Sequence, residues 1–515
     1  MAVKAEALIV DDKTHEEKRI RLEERRTPEL VMAFVGPVGS GVTKSGNIFA
    51  EILQSEYNYT SFFYKVSHII KESGHFVAED IPDDITGEER IKKYQSVGNK
   101  LREKFGDNYL AKKCIDKIAN TRLSQGGYRG NEDSLIPEPR RFVHIIDSLK
   151  HPRELEFLRI VYGDLLTLVG VFAPISVRRG RLQRDGVDRS ELDKVITTDE
   201  HEGFLHGQKV RDTFHNSDFF IRNDKDNDEE LREKIARFLD VLFGAEIRTP
   251  SQDEIAMHMA MSSGAKSACM SRQVGAAIYS NAGELLGVGW NDVPRFGGGL
   301  YSPEDGKNDH RCYLWGGKIC HNDDRKKRLN QKILVELKEE KIISGSETQK
   351  NKVLSALLRT DIKNIIEYSR SIHAEMEAIL SVARAGKNGI VGSTIYVSTF
   401  PCHNCARHIV AAGIRKVIYI EPYPKSLAKD LHNDAISEDI NKQDKMVIFL
   451  QFDGVAPKNL MKYFKSGIER KKNGSKIFVS RRDATPIVQP PLDSFTLYEQ
   501  KVVEELHEAE SSATT

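Results

Sequence analysis

Two short segments, His373-Ala374-Glu375 and Pro401-Cys402-His403-Asn404-Cys405, decide how the second half of this 515-residue chain is expected to fold. The first opens a stretch with apolar residues at helical spacing: Ile372, Met376, Ile379, Leu380 and Ala383. The segment 393–399 (STIYVST) is rich in β-branched residues and predicts a strand, and Pro401 suits the start of another helix. The sequence therefore predicts two helices joined through a strand, with a polar motif at the start of each helix.

These polar motifs contain three metal ligands and a carboxylate. His373, Cys402 and Cys405 supply the three protein ligands that a catalytic zinc requires, with a fourth position open for water. H-x-E followed by P-C-x-x-C is the pattern of zinc nucleobase deaminases. Glu375 is then the expected proton carrier between the activated water, a ring nitrogen and the departing ammonia. A structural zinc knuckle is the alternative, but such sites use four protein ligands and need no glutamate.

The surrounding sequence resembles the deoxycytidylate deaminase family over about residues 251–423. Three segments carry the resemblance: 271–278 (SRQVGAAI), 287–295 (GVGWNDVPR) and 411–419 (AAGIRKVIY). The resemblance implies that Asn291 contacts the sugar and base of a deoxycytidine nucleotide. Arg272 and Arg295 are candidate phosphate contacts, because a guanidinium can bind phosphate oxygens through two hydrogen bonds. Each arginine could instead be an ordinary surface residue.

A long insertion, at about 297–365, separates the Asn291 loop from His373 and distinguishes this chain from a compact member of that family. It contains a cluster of metal-ligand side chains: His310, Cys312, Cys320 and His321. In a chain without a secretory signal, such a cluster predicts a second, structural zinc rather than disulfides. Cys269 could replace one of these ligands, and four residues without a metal remain the alternative.

A glycine-rich turn follows the apolar segment 31–35 (VMAFV) in the amino-terminal half. The turn and the start of the next helix supply these candidate nucleotide-binding residues: Gly36, Gly39, Ser40, Gly41, Val42, Thr43, Lys44 and Ser45. A strand, a glycine-rich turn and a helix form the layout of a P-loop, whose backbone amides hold phosphate oxygens. The match is imperfect, because Val42 stands where the phosphate-binding lysine is expected and Lys44 is displaced by two residues. The pattern predicts binding of a nucleotide, with Mg²⁺, rather than its hydrolysis.

The segments after this turn resemble the P-loop nucleotide kinases. Segment 142–147 is an apolar strand that ends in Asp147, as a Walker B strand does, and segment 217–224 is similar to their late strand near the adenine. A basic cluster resembles their arginine-bearing lid: Arg178, Arg179, Arg181 and Arg184. Alternating strands and helices predict a parallel sheet with helices on both faces. The predicted fold class is α/β, a P-loop kinase-like parallel-sheet domain followed by a cytidine-deaminase-like three-layer α/β/α domain.

Length and composition support two domains in the cytosol. A chain of 515 residues is too long for one hydrophobic core. We expect these segments: a charged segment 1–28, a kinase-like domain 29–247, a deaminase domain 248–506 and a disordered tail 507–515. A net charge of +1 gives no basic field of the kind that drives nonspecific nucleic-acid binding. No apolar run is long enough for a signal peptide or a membrane helix, and free cysteines used as ligands indicate a reducing compartment.

A kinase-like domain joined to a deoxycytidylate deaminase domain resembles the two-domain anti-phage deoxycytidylate deaminases. This resemblance implies deamination of dCTP or dCMP during infection, a nucleotide effector at the P-loop, homo-oligomers and control by an inhibitory RNA or protein. Three alternatives remain open: a housekeeping dCMP deaminase with an accessory domain, a nucleic-acid editing deaminase, and a non-catalytic nucleotide-binding regulator. The intact Glu375 argues against the regulator, and the near-neutral charge argues against the editing enzyme.

Overall fold

The computed structural model describes residues 25–129, 136–200, 206–225, 227–423, 425–464 and 470–514. They form two compact units, one made of residues up to 248 and from 466 onward, the other of residues 249–465. The expected boundary near 248 lies where the two units meet along the chain. The expected end of the deaminase domain at 506 does not match, because the chain leaves the second unit after 465. Of the expected segment 1–28, residues 1–24 lie outside the described residues.

A parallel sheet forms the centre of the first unit. Its strands and an accompanying short pair are β1 (Leu30–Val35), β2 (Thr60–Lys65), β3 (Tyr128–Arg129), β4 (Ile136–Pro137), β5 (Phe142–Asp147), β6 (Leu166–Phe172) and β7 (Phe219–Arg222). Within this unit the order is β2-β5-β1-β6-β7, and all these neighbours pair in parallel. β1 and β5 are buried over their whole length, as strands covered on both faces are. Phe34 pairs with Asp147, so the carboxyl ends of β1 and β5 meet.

Helices connect these strands. They are α1 (Val42–Tyr57), α2 (Val66–Ser73), α3 (Gly87–Phe105), α4 (Tyr109–Ser124), α5 (Pro152–Tyr162), α6 (Ile175–Arg184), α7 (Leu192–Glu200), α8 (Val210–Phe214) and α9 (Glu229–Phe243). The glycine-rich turn runs from the end of β1 to the start of α1, as predicted. Buried Leu182 on α6 and buried Val195 and Ile196 on α7 belong to one apolar cluster that holds these two helices together. This cluster fixes α6 and α7, which carry charged side chains close to the turn.

The second unit contains a mixed sheet. The strands of this sheet are β8 (Gly275–Tyr279), β9 (Leu285–Trp290), β10 (Thr394–Thr399), β11 (Lys416–Glu421), β12 (Ile436–Ser437) and β13 (Val447–Gln451). The short strand β14 (Gly454–Val455) follows β13 and is not part of this sheet. The helices of the unit are α10 (Gln252–Gly264), α11 (His321–Glu339), α12 (Glu347–Leu357), α13 (Ala374–Arg384), α14 (His403–Ala411), α15 (Ala428–Leu431) and α16 (Leu460–Phe464). The sheet order is β12-β13-β11-β10-β8-β9. β8 is antiparallel to both β9 and β10, whereas β10, β11, β12 and β13 run in parallel.

Side-chain alternation along β10 shows the layers of this unit. Ile395 and Val397 belong to the buried cluster that also contains Ala374 of α13 and Ala406 of α14. Tyr396, between them, points to the other face, where its hydroxyl donates a hydrogen bond to Asp253 of α10 at 2.6 Å. The sheet therefore lies between α13 and α14 on one side and α10 on the other. This arrangement confirms the predicted three-layer domain, and the parallel sheet of the first unit confirms the other half of the predicted fold class.

The end of the chain belongs to the first unit. It forms the hairpin β15 (Lys471–Lys472) and β16 (Ser475–Lys476), and then α17 (Leu492–Thr514). The prediction of a disordered tail is wrong for residues 507–514, because they continue this helix. The helix is stable because it buries Phe495, Val502 and Leu506 and joins α4 through an ion pair between Glu499 and Arg122. Across the described residues, we find no helix with the length and apolarity needed to span a membrane.

Candidate active site

His373, Cys402 and Cys405 meet at the start of two helices. His373 is the N-cap residue of α13 and Cys402 that of α14, and the Cys402 sulfur accepts a hydrogen bond from the Cys405 amide at 3.4 Å. The Nδ1 atom of His373 lies 3.4 Å from Sγ of Cys402 and 3.3 Å from Sγ of Cys405. A tetrahedral zinc with ordinary Zn–S and Zn–N bonds holds such atoms about 3.5 Å apart. The three ligand atoms therefore fit one zinc ion, as the sequence predicted.

The protonation of these three side chains is coupled. The hydrogen bond with Cys405 lowers the pKa of Cys402 to about 4, and the same contact raises the pKa of Cys405. The hydrogen bond with Cys402 raises the pKa of His373 to about 9. The Cys402 thiolate is thus stabilised by protons on His373 and Cys405, and the three groups titrate together rather than independently. A divalent cation would take the place of those protons, since zinc binds thiolate sulfur and neutral imidazole.

Glu375 lies in the first turn of α13 and is 4% exposed. Burial raises the pKa of its carboxyl group, although the nearby His373 has the opposite effect. A raised pKa lets a carboxyl group hold a proton at a higher pH than usual, which suits a residue that must both accept and donate protons. The structure places this group, as predicted, beside the cluster of metal ligands.

A cavity of about 400 Å³ opens beside the cluster, and His373, Glu375 and Cys402 line it. Asn291, only 8% exposed, also lines the cavity. Its side-chain oxygen accepts a hydrogen bond from the Val274 amide at 2.7 Å, and its side-chain nitrogen donates to the Arg272 carbonyl at 2.8 Å. These bonds fix the amide at the wall of the cavity, where the sequence predicted a substrate contact.

The two predicted arginines lie in different places. Arg272 lines the cavity and donates a hydrogen bond to Glu421. Arg295 binds Asp305 at 3.0 Å and the Gly298 carbonyl at 3.3 Å, both within its own loop, and the structure does not bring it to the cavity wall.

Sequence reasoning missed several cavity residues that carry positive charge. They are Lys326, Lys363 and Lys425. Lys326 and Lys363 come from the insertion, which also supplies Asn322, Asn364 and Ile365 to the wall. The insertion therefore builds one side of the cavity. No motif marks these lysines, because a lysine in a charged helix such as α11 has the same pattern as a solvated one.

The other cysteines of this unit gather at a smaller cavity. Its wall includes Cys269, Cys312, Cys320 and His321. His310 lies elsewhere, with Nδ1 at 3.3 Å from the Tyr301 hydroxyl and its ring stacked on Trp315. Cys269 therefore lies beside Cys312, Cys320 and His321, where His310 was the predicted fourth ligand. Among the described residues, only His373, Cys402 and Cys405 have ligand atoms all within 4.8 Å of one another. The ligand atoms of this second group are therefore farther apart than those of the first.

In the first unit, the glycine-rich turn adopts the shape of a P-loop. Gly39 and Gly41 have φ angles of 78° and 82°, in the left-handed region that favours glycine, and Gly41 is the N-cap residue of α1. The hydroxyl of Thr43 donates a hydrogen bond to Asp147 at 2.7 Å. These two side chains therefore meet, as they do where a P-loop and a Walker B strand share a magnesium ion.

Two side chains donate hydrogen bonds to the backbone of this turn, one from α6 and one from the residue that follows β7. Arg181 donates hydrogen bonds to the carbonyls of Gly39 and Ser40 at 3.3 and 3.2 Å, and Asn223 donates to the Ser40 carbonyl at 3.0 Å. Lys44 points away, into an ion pair with Asp228, and is 39% exposed. Ser45 is buried, and its hydroxyl donates to the Gly41 carbonyl. The turn is therefore held by neighbouring side chains, and Lys44 takes no part in it.

Comparison with known proteins agrees with the zinc cluster. Residues 250–421 match the family described as "Cytidine and deoxycytidylate deaminase zinc-binding region". The deoxycytidylate deaminase of Enterobacteria phage T4 is 31% identical over 167 residues, which cover 31% of this chain and 73% of the phage protein.

Solved structures give weaker likenesses. The dCMP deaminase of cyanophage S-TIM5 in complex with dCMP and dUMP is 18% identical at a TM-score of 0.23, covering 40% of this chain and 99% of that chain. Shikimate kinase from Acinetobacter baumannii is 15% identical at a TM-score of 0.24, covering 44% of this chain and 100% of that chain. The relationship therefore rests on the match in sequence and on the ligand geometry. With His373, Cys402 and Cys405 inside the matched region, the chain belongs to the deoxycytidylate deaminase family.

Proposed function

We propose that this protein hydrolyses the exocyclic amino group of free deoxycytidine nucleotides, converting dCMP, dCTP or both to the deoxyuridine forms and ammonia. The observation that carries the proposal is a buried carboxyl group, Glu375, at a zinc-competent cluster beside a cavity whose lining includes one arginine and three lysines. The phage T4 relative named deoxycytidylate deaminase supports dCMP as a substrate. We propose in addition that the protein accepts dCTP.

His373, Cys402 and Cys405 would hold the zinc, which, when bound, supplies the Lewis acid that lets water ionise near neutral pH. Glu375 accepts a proton from the attacking water and donates it to the ring nitrogen, which makes the neighbouring carbon more electrophilic. Once the water oxygen has bonded to that carbon, Glu375 takes the proton of the added hydroxyl group and transfers it to the amino group. The C–N bond then breaks, and neutral ammonia leaves as the carbonyl forms. Glu375 is 4% exposed, so its carboxyl group has little contact with bulk water.

The cationic wall explains a preference for nucleotides over nucleosides. Four cationic side chains line the cavity, Arg272, Lys326, Lys363 and Lys425, against two carboxyl groups, Asp323, which pairs with Lys326, and Glu375. Guanidinium and ammonium groups bind phosphate oxygens through charge-assisted hydrogen bonds. Several cationic side chains at one cavity can bind a chain of phosphates as well as a single one, which supports the inclusion of dCTP.

The role proposed for the first unit is regulation. The P-loop shape and the Thr43–Asp147 contact support binding of a nucleotide with Mg²⁺, and Val42 in place of the lysine argues against fast phosphoryl transfer. A nucleotide can shift a conformational equilibrium without being hydrolysed, if it binds one state more tightly. By its resemblance to the two-domain anti-phage enzymes, the protein would deplete deoxycytidine nucleotides during infection. It would act in the cytosol, as a homo-oligomer, under control of an inhibitory RNA or protein.

A second zinc is proposed for the smaller cavity of this unit. Cys269, Cys312, Cys320 and His321 supply four ligands of the kind used by structural zinc sites. Their wider spacing is compatible with closure of the group around an ion, because Cys312 and Cys320 lie in a loop region before α11. This zinc would fix the insertion, and with it the wall that carries Lys326.

Ammonia release tests the proposed reaction. The zinc-loaded protein and its Glu375→Ala and Glu375→Gln variants are each given dCMP, dCTP, cytidine and single-stranded DNA, with and without Mg-ATP. We expect release from dCMP or dCTP by the wild type, and a loss of about a hundredfold or more in both variants at unchanged zinc content. Activity confined to single-stranded DNA would show an editing enzyme. No release from any substrate, even with Mg-ATP, would show a binding protein and overturn the proposal.

A further inference from the structure

The P-loop of the first unit lacks its own lysine. Val42 occupies the position next to Gly41 where that lysine belongs, and Lys44 is bound to Asp228 away from the turn. A P-loop lysine neutralises the phosphates that the backbone amides hold. A nucleotide-binding site without one must obtain the positive charge from another part of the chain.

Lys150, from another segment of the chain, brings a positive charge to the turn. It follows β5 by three residues, in the connection to α5. Its Nζ atom lies 3.4 Å from the Gly36 carbonyl oxygen, at the first residue of the turn. Its side chain is 20% exposed, so the ammonium group is close to the surface of the site and within reach of a ligand.

Asp199 of α7 occupies the space between Lys150 and the turn. One carboxylate oxygen accepts a hydrogen bond from the Val38 amide at 2.7 Å, and the other binds Nζ of Lys150 at 2.8 Å. Asp199 is only 2% exposed. A backbone amide of the turn and a lysine ammonium group are the two kinds of donor that hold a phosphate in a P-loop. The carboxylate of Asp199 therefore makes the contacts that a phosphate would make.

A neighbouring arginine adds unused donor capacity at the same place. Arg178 of α6 is 4% exposed, donates from Nε to the Val38 carbonyl at 2.9 Å and pairs with Glu200 at 2.6 Å. Its remaining Nη2 group has no hydrogen-bond partner within the described residues. A buried guanidinium donor without a partner is costly, and an anionic ligand would satisfy it.

We propose that Lys150 is the phosphate-binding lysine of this P-loop, and that Asp199 holds the phosphate position until a nucleotide polyphosphate displaces it. The inference rests on the proposed nucleotide binding by the first unit and deepens it, because it assigns the ligand's phosphates to a lysine outside the motif. Thr43 and Asp147 would hold the accompanying Mg²⁺. Displacement of Asp199 would break the contact between α7 and the turn. Binding of the nucleotide would then cause α7 to move.

A purely structural ion pair makes a different prediction. If Lys150 and Asp199 only stabilise the fold, removal of either partner weakens the same contact and changes nucleotide affinity in the same direction. If Asp199 competes with the ligand, the two substitutions have opposite effects. Lys150→Ala removes a ligand contact, whereas Asp199→Asn removes a negatively charged competitor and leaves Lys150 free to bind phosphate.

Isothermal titration with Mg-ATP at fixed pH and ionic strength separates these cases. We expect Lys150→Ala to weaken binding by about tenfold or more, Lys150→Arg to recover part of the loss, and Asp199→Asn to tighten binding by about tenfold. Lys44→Ala tests the lysine in the motif, and Lys194→Ala, an exposed lysine on α7, controls for the loss of one positive charge. Both should bind Mg-ATP within about twofold of the wild type. Thermal unfolding of each variant shows that it is folded.

The outcomes distinguish this inference from the proposal on which it rests. If neither the wild type nor Asp199→Asn binds Mg-ATP, nucleotide binding by the first unit is wrong and the inference falls with it. If the wild type binds and Lys150→Ala binds equally well, only the role of Lys150 is wrong. A change in the same direction for Lys150→Ala and Asp199→Asn would show a structural ion pair. A loss in Lys44→Ala alone would assign the phosphate to the motif lysine.

Discussion

Gly289 lies against Ala374 so closely that a Cβ atom at position 289 would be 2.2 Å from the Ala374 carbonyl oxygen. The same Cβ would be 2.3 Å from the backbone nitrogen of Ala378, one turn further along α13. Both contacts are with backbone, so rotation of a side chain cannot relieve them. Because Ala374 stands between His373 and Glu375, the absence of a side chain on β9 determines how close these two residues lie to the sheet.

Gly289→Ala is therefore expected to displace the start of α13. Overpacking of this kind costs about 1–3 kcal/mol, and the shift should lower zinc content and deaminase activity together. Urea unfolding, metal analysis and ammonia release measure the three effects. Leu285→Ala on the same strand, at a side chain that is 37% exposed, is the matched control and should leave zinc content unchanged. Normal zinc content in Gly289→Ala would show that β9 does not position His373.

Zinc content also tests the proposed second site. The wild type should bind about two zinc ions per chain, His373→Ala about one, and Cys312→Ser about one, since each variant loses one ligand set. Cys312→Ser should keep measurable activity but lose stability in the insertion, because its zinc has no role in the reaction. Cys114→Ser, at a buried cysteine of the first unit, is the control for loss of a thiol. One zinc per wild-type chain would contradict the second site.

The lysines of the insertion should act on phosphate recognition. Lys326→Ala and Lys363→Ala are each expected to raise KM for dCMP by about threefold to tenfold, since each removes a partly screened charge contact. KM for deoxycytidine, which has no phosphate, should stay constant. Steady-state kinetics with both substrates measure the ratio of the two KM values, and Lys332→Ala, at an exposed lysine on the same helix as Lys326, is the control. An equal rise for both substrates would mean that the lysines shape the cavity rather than bind phosphate.

The helices, strands and site residues that could be predicted from the sequence are those that depend on neighbouring residues alone. The strand before Gly36, the helix after His373 and the helix after Cys402 follow from apolar spacing and from the residues that begin a helix. His373, Cys402, Cys405 and Glu375 could be identified because their ligand types and spacing are specific to one chemistry. Such features need no knowledge of distant contacts.

The parts that were missed depend on contacts between distant segments. The position of residues 507–515 at the chain end predicts disorder. Residues 507–514 instead continue α17, which is held in place through Glu499 and its buried partner Arg122, far away in the sequence. Arg295 stands in a segment that resembles the family and Lys363 in no motif, but only Lys363 lines the cavity. Lys150 lies outside every motif and could be assigned only from its distance to Asp199. Long-range packing of charged side chains leaves no periodic signal in sequence.

Glu499 is part of a fully buried charged network. Its carboxylate pairs with Arg122, which also binds Glu29 at 2.8 Å, and Glu29 in turn contacts His144 at 2.6 Å. Burial raises the pKa of Glu499 to about 7, against the opposing effect of the Arg122 charge. In the unfolded chain a glutamate titrates near pH 4.3. Between these two values, the folded protein therefore holds a proton that the unfolded chain has lost.

The contribution of Glu499 to stability should consequently fall as pH rises. It is fully present below about pH 4.3 and is lost through pH 7, a change of the order of a few kcal/mol. Glu499→Gln keeps the shape of the protonated side chain and cannot titrate. The variant should gain stability relative to the wild type as pH rises from 5.5 to 8, as measured by thermal unfolding at matched ionic strength. Glu504→Gln, exposed on the same helix, should show a constant difference from the wild type. A constant difference for Glu499→Gln as well would mean that Glu499 is ionised in the folded protein throughout this range, with Arg122 outweighing its burial.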